Sequence, residues 1–100
     1  MNKTILHREF IRQSTVGGEF SVNTQKLEGI CKQIIVTPET STTEYLLSIT
    51  DDQDAVVYDT DTETGGISPL TDLPLRGVYT VKISNATSNE SFLVQLIVEV

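Results

Sequence analysis

One cysteine, one histidine, three prolines and no tryptophan in 100 residues close off several chemistries before any pattern is read. With Cys31 alone no intrachain disulfide forms, so packing and backbone pairing must hold the fold. A reactive thiol wants a neighbouring base. The only histidine, His7, lies 24 positions away, and Cys31 follows Ile30 in an apolar stretch, so it reads as a buried, inert side chain. No apolar run approaches a membrane-spanning length. Asn2-Lys3-Thr4 follows Met1 without the apolar core of a signal peptide, so the expectation is a chain made in a reducing cytoplasm. Gly17-Gly18 and Gly65-Gly66 are turn glycines outside any phosphate-binding pattern.

Alanine and lysine are also scarce, whereas Thr, Ser, Val and Ile are abundant, which favours strands over helices. The strongest local signal is at the end of the chain. Tyr79, Val81 and Ile83 alternate with Thr80, Lys82 and Ser84, and Phe92, Val94, Leu96, Val98 and Val100 alternate likewise. With polar Asn85 to Glu90 between them, the two runs read as a β-hairpin. Leu47 and Ile49 join Val81, Ile83, Val94 and Leu96 as the expected core.

Upstream, Glu19 to Asn23 reads as a short strand and Lys26 to Thr37 as a long one ended by Pro38. The run Ile34-Ile35-Val36 is apolar on both parities, as in a central strand covered on both sides. Glu44 to Thr50 and Ala55 to Asp59 are strands joined by the Asp51–Asp54 turn. Ile67 to Arg76, with Pro69 and Pro74, reads as a connection between sheets. The fold class is all-β: a single antiparallel β-sandwich, immunoglobulin-like or jelly-roll-like, of about seven strands, with an N-terminal arm. The domain division is 1–13 as arm or edge strand and 14–100 as sandwich.

Net charge is −7 and unevenly placed. Up to Val36 there are five basic residues against three acidic; from Thr37 there are two against eleven. The acidic body argues against nucleic acid as partner.

No catalytic or metal constellation emerges. Asp51, Asp52 and Asp54 could offer carboxylates to Ca²⁺, but the EF-hand glycine and glutamate are missing, and aspartate is a favoured turn residue. Asp59, Asp61 and Glu63 alternate on one face without an aromatic sugar platform, and read as a solvated acidic face. His7 with Glu9 is a surface or interface pair. The chain is expected to be no enzyme, and to need no cofactor and no metal.

Gln33-Ile34-Ile35-Val36-Thr37-Pro38, then Tyr45 through Tyr58 and Leu73 through Ala86, resemble small β-sandwich proteins encoded among the virion genes of tailed phages. The resemblance covers Gln33 to Val100. It implies a non-enzymatic virion protein, foremost a capsid decoration (cement) protein on the capsid exterior that bridges major capsid subunits. It implies as partners the major capsid protein and copies of itself in a homo-oligomer, with no nucleic acid and no membrane. A tail, neck or fibre component is the neighbouring reading, and a carbohydrate- or protein-binding module of a bacterial surface is another. The partner-binding residues expected are Lys3, Ile5, Leu6, Arg8, Phe10, Ile11 and Arg12, which combine positive charge with apolar side chains in no clean amphipathic pattern. As an arm, Met1 to Gln13 would be removable without loss of the sandwich.

Overall fold

The computed structural model describes residues 5–100, which contain no helix. Nine strands follow in order: β1 (Leu6–Ser14), β2 (Phe20–Asn23), β3 (Leu27–Pro38), β4 (Glu44–Thr50), β5 (Val56–Asp59), β6 (Glu63–Thr64), β7 (Leu70–Gly77), β8 (Thr80–Ser84) and β9 (Ser91–Glu99). They form two antiparallel sheets, β1-β9-β3-β7 and β2-β8-β4-β5, with the two-residue β6 beside β4. The chain is a β-sandwich.

The pairing is nested. β1 pairs β9, β2 pairs β8, β3 pairs β7 and β4 pairs β5. A long antiparallel hairpin rolled onto itself gives this order, which makes the topology jelly-roll rather than immunoglobulin-like. The rolling also corrects the expected C-terminal hairpin. β8 and β9 lie in opposite sheets, so Asn85 to Glu90 crosses the end of the sandwich. Their apolar faces meet across the core rather than side by side. Ile67 to Arg76 is likewise more than a connection: Leu70 onward is the edge strand β7, and Pro74 is tolerated because it stands at an edge.

The core is built from the inward parity of each strand. Leu47, Ile49, Val81, Ile83, Val94 and Leu96 are all buried, with Phe92 at the centre. The Phe92 ring meets Tyr45 edge-on at 5.1 Å and Phe20 at 6.1 Å. Cys31 is buried, and that burial pushes its thiol pKa up, which depletes the thiolate. Between Cys31 and Gln33 the β3 ladder slips by one residue at Lys32. This bulge resets the parity, so Leu27 and Cys31 face inward before it and Ile34 and Val36 after it. Gly29, at φ +142°, lies against the backbone of Glu99, where a side chain would strike β9. The Tyr79 hydroxyl accepts a hydrogen bond from the Arg76 N–H at 2.7 Å, pinning the β7–β8 corner around Gly77. This is a tyrosine corner.

Tyr45 donates its hydroxyl to the Gly65 carbonyl at 2.7 Å. Burial, helped by the Glu63 carboxylate, pushes its pKa from 10.0 up to about 12. Between these two values the unfolded phenol ionises while the folded one keeps its proton. The folded state then binds more protons, so the stability tied to the neutral Tyr45 phenol is fully present below the window and is lost as pH rises through it. Alkaline denaturation followed by phenolate absorbance is therefore expected to show a late-ionising tyrosine and a loss of stability above about pH 10. Tyr45→Phe should flatten that decline; an unchanged alkaline profile would refute the assignment.

Candidate interaction surface

The two sheets present unlike outer faces. Across β2-β8-β4-β5 the outward rows are mainly polar: Ser21, Lys82, Ser48 and Asp59 in one, Asn23, Thr80 and Thr50 in the next, with exposed Val56 beside Thr50 and half-buried Leu46 beside Ser84 as the apolar exceptions. Thr80 donates its hydroxyl to Asn23 Oδ1 at 2.8 Å within this face. Such a face is adequately served by water.

Across β1-β9-β3-β7 the outward rows mix apolar, cationic and amide side chains, with Glu99 between Leu6 and Ile30 at one end. Arg8 stands opposite Ile97, Phe10 opposite Gln95 and Arg12 opposite Leu93; on the far side of β9 these meet Gln33, Ile35 and Thr37. Leu6 is 58% exposed, Phe10 59% and Ile30 41%. Ile97 is outward yet only 8% exposed, flanked by Arg8 on one side and Gln33 on the other. The Arg8 guanidinium lies 5.8 Å from the centroid of the Phe10 ring, within cation–π range. At the β3–β7 margin Lys32 pairs with Asp72 at 2.6 Å, and that carboxylate holds the Lys32 ammonium above its ordinary pKa.

Of the sequence-expected partner residues, Lys3 lies outside the described residues. Ile5, Leu6, Arg8, Phe10 and Arg12 are exposed along β1 and its approach. Ile11 is a correction. It has the opposite parity, is 5% exposed and belongs to the core, so it cannot meet a partner. The segment is an edge strand of the molecule's own sheet, paired with β9 over nine residues. The expectation that Ile34 to Val36 is covered on both sides is corrected too. Ile34 and Val36 are buried, but Ile35 is half-buried on the open face. Ile35, Leu93 and Ile97 are the residues of this surface that sequence reasoning missed. Their signal was present, since each breaks the alternation of its strand with an apolar residue on the outward parity.

At one end of β1 this surface runs into a cleft of about 430 Å³ lined in part by Ile5, Leu6, Lys26, Leu27 and Val100. Close by, Glu9 points inward and is buried. Its Oε2 accepts the Gln25 N–H at 2.8 Å and its Oε1 lies 3.4 Å from His7 Nε2. The pair ties β1 to the turn before β3.

A second cleft, of about 490 Å³, opens between the Pro38–Glu44 and Asn85–Glu90 connections. Its one buried carboxylate, Glu90, accepts both the Thr40 N–H at 2.6 Å and the Thr40 hydroxyl at 3.1 Å. Glu90 therefore fixes a turn, with each of its two oxygens engaged by Thr40. In the acidic turn, Asp51 Oδ1 accepts the N–H groups of Gln53 and Ala55, both at 2.9 Å. It caps the β4–β5 hairpin. No group of three metal-ligating side chains converges among the described residues.

No family model and no curated protein matches the sequence. Among solved structures, the chain is similar to PliG of Aeromonas hydrophila, a periplasmic lysozyme inhibitor of g-type lysozyme. The TM-score is 0.55 and the identity 13%, over 91% of this chain and 86% of that one. TmCBM61, solved with β-1,4-galactotriose, matches with a TM-score of 0.44 and 12% identity, over 96% of this chain and 66% of that one. At these identities the likeness to PliG speaks for the fold.

Proposed function

We propose that this chain is a non-enzymatic protein-binding module whose contact surface is the outer face of β1-β9-β3-β7. The observation that carries it is the asymmetry of the sandwich. One outer face is mainly polar, with Val56 its exposed apolar exception, and the other holds Leu6, Phe10, Ile30, Ile35, Leu93 and Ile97 interleaved with Arg8, Arg12, glutamines and Glu99. A contiguous apolar patch rimmed by charge is the mark of a protein contact.

A sugar is a poorer fit. Phe20, Phe92, Tyr45 and Tyr79 are buried, and Tyr58 is half-buried. Phe10 is the one exposed aromatic among the described residues, and Arg8 shares its ring face. Jelly rolls serve lectin and viral capsid domains alike, so the architecture itself separates none of these readings. Attachment to an assembled capsid is one form of this module, supported by the resemblance of Gln33 to Val100. A bacterial surface or periplasmic binding module is the other.

Surface plasmon resonance against phage capsid shells, g-type lysozyme and β-1,4-galactotriose tests the reading. A protein probe is expected to bind, and Phe10→Glu and Ile35→Glu are each expected to weaken it at least about tenfold, as for a loss near 1.4 kcal/mol at an interface core. Binding of the galactotriose alone, or protein binding indifferent to both variants, would overturn it.

A further inference from the structure

The sandwich has four sheet edges, and three of them are poor templates for another strand. β7 carries Pro74 and faces a slipped register. β2 is four residues long, and β5 is four residues long with a bulge opposite Ile49 and Thr50. Short, bulged or proline-bearing edges are how sheets avoid unwanted pairing. β1 has none of these protections. It pairs β9 without a shift from Leu6 to Ser14, contains no proline or glycine, and among the described residues has no strand on its other side.

Its hydrogen-bonding parity is fixed at both ends. The Ile5 carbonyl accepts the Val100 N–H at 2.9 Å, and the Thr15 N–H donates to the Glu90 carbonyl at 2.9 Å. In an antiparallel ladder alternate residues bond to the same neighbour. The odd-numbered residues of β1 therefore pair with β9, and the N–H and C=O groups of Leu6, Arg8, Phe10, Arg12 and Ser14 point to the free edge. These same residues carry the exposed side chains of the outer face. Among the described residues neither arginine has an ion-pair partner.

We infer that β1 captures an extended acidic peptide segment by strand addition, with acidic side chains opposite Arg8 and Arg12 and an apolar one opposite Phe10. The inference rests on the reading of this face as the contact surface, and it names the mode and the chemistry of the partner. The backbone groups of the free edge supply the ladder, and the four-residue spacing of the arginines supplies the selection. One carboxylate, Glu99, stands opposite Leu6 at the end of the strand; charges farther than about 8–10 Å are screened at physiological salt, so Arg8 and Arg12 set the preference along the rest of the edge. A second copy is a worse occupant. Two-fold pairing about Phe10 sets Arg8 against Arg12 of the copy twice, and like charges directly opposed weaken a ladder. Both copies also carry a net charge of −7.

The test is amide exchange by NMR on the full ¹⁵N-labelled chain with the capped peptide Thr-Glu-Thr-Val-Thr-Glu-Thr. In the free chain the amides of Arg8, Phe10 and Arg12 should exchange fast and those of Glu9 and Ile11 slowly. Peptide should protect the first set and bind more weakly as salt rises. The lysine counterpart of the peptide, and the Arg12→Glu variant, should each bind about tenfold more weakly, from cross-strand charge terms summed over a pair. Phe10→Pro should abolish binding while the chain still melts cooperatively, because the missing N–H faces no strand.

Shifts at the Ile35, Leu93 and Ile97 methyls without amide protection would overturn strand addition and leave the contact face standing. No response at millimolar peptide, equal binding of the lysine peptide, or unimpaired binding by Phe10→Pro would also overturn it. Protection of Arg8, Phe10 and Arg12 that grows with protein concentration, without peptide, would assign the edge to a second copy instead.

Discussion

Phe92→Ala is expected to cost about 3–5 kcal/mol, the range for truncating a large aromatic in a packed core. Phe92 is fully buried and is the one ring in contact with two others, Tyr45 at 5.1 Å and Phe20 at 6.1 Å. These three come from β9, β4 and β2, so the cluster bolts the two sheets together. Deleting the ring leaves a cavity that neither neighbour can fill, because Tyr45 is tethered to Gly65 through its hydroxyl. A domain of this size has roughly 5–15 kcal/mol of stability in all. The melting temperature should therefore fall by more than about 10 °C. The adjacent Leu93→Ala, on the outer face, should cost well under half as much. Urea unfolding of both variants checks the contrast; equal effects would mean that the strand parity is misread.

That parity was legible from the sequence, and the pairing was not. Period-two alternation correctly places Tyr79, Val81, Ile83, Phe92, Val94, Leu96 and Val98 inward. Val100 alone departs, 60% exposed just past the end of β9. Yet alternation reports only which side of a strand is dry. Two strands hydrogen-bonded side by side and two facing each other across the core give the same pattern. Six polar residues, Asn85 to Glu90, serve either as a hairpin loop or as a crossing. The long-range nesting of β1 with β9 and β2 with β8 has no local signature at all.

The proposed contact surface was half legible for a related reason. In β1 the usual pattern is inverted: Leu6 and Phe10 face solvent, while Glu9 faces inward and is satisfied by Gln25. A rule that sends apolar residues inward fails there, as it does wherever a local rule is broken in favour of something other than the core. The same rule gave Ile35 a second covering layer and left Leu93 and Ile97 unremarked. The acidic turns, by contrast, were readable, because aspartate capping of nearby amides is a local interaction, and Asp51 shows it.

Deletion of residues 1–13 is expected to abolish the cooperative fold rather than release an independent sandwich. Nearly all of β1 goes with it, and with β1 the Ile11 side chain, whose loss from a core costs about 2–5 kcal/mol by itself. The Glu9 carboxylate that receives Gln25 is also lost, as is the outermost rung of the nested hairpin. β9 would become an edge strand of nine residues with Leu93, Ile97 and Val98 beside its bare ladder, a template for aggregation. Together these losses are comparable with the whole stability of a small domain. The truncated chain should lose its sheet signal by circular dichroism or sediment as aggregate. A matched control separates strand loss from side-chain loss. Arg8→Ser and Arg12→Ser, exposed on the outer parity, should each change stability by no more than about 0.5 kcal/mol. A soluble truncated chain that melts cooperatively within a few degrees of the full chain would show that β1 is an appended arm, and that the jelly roll closes without it.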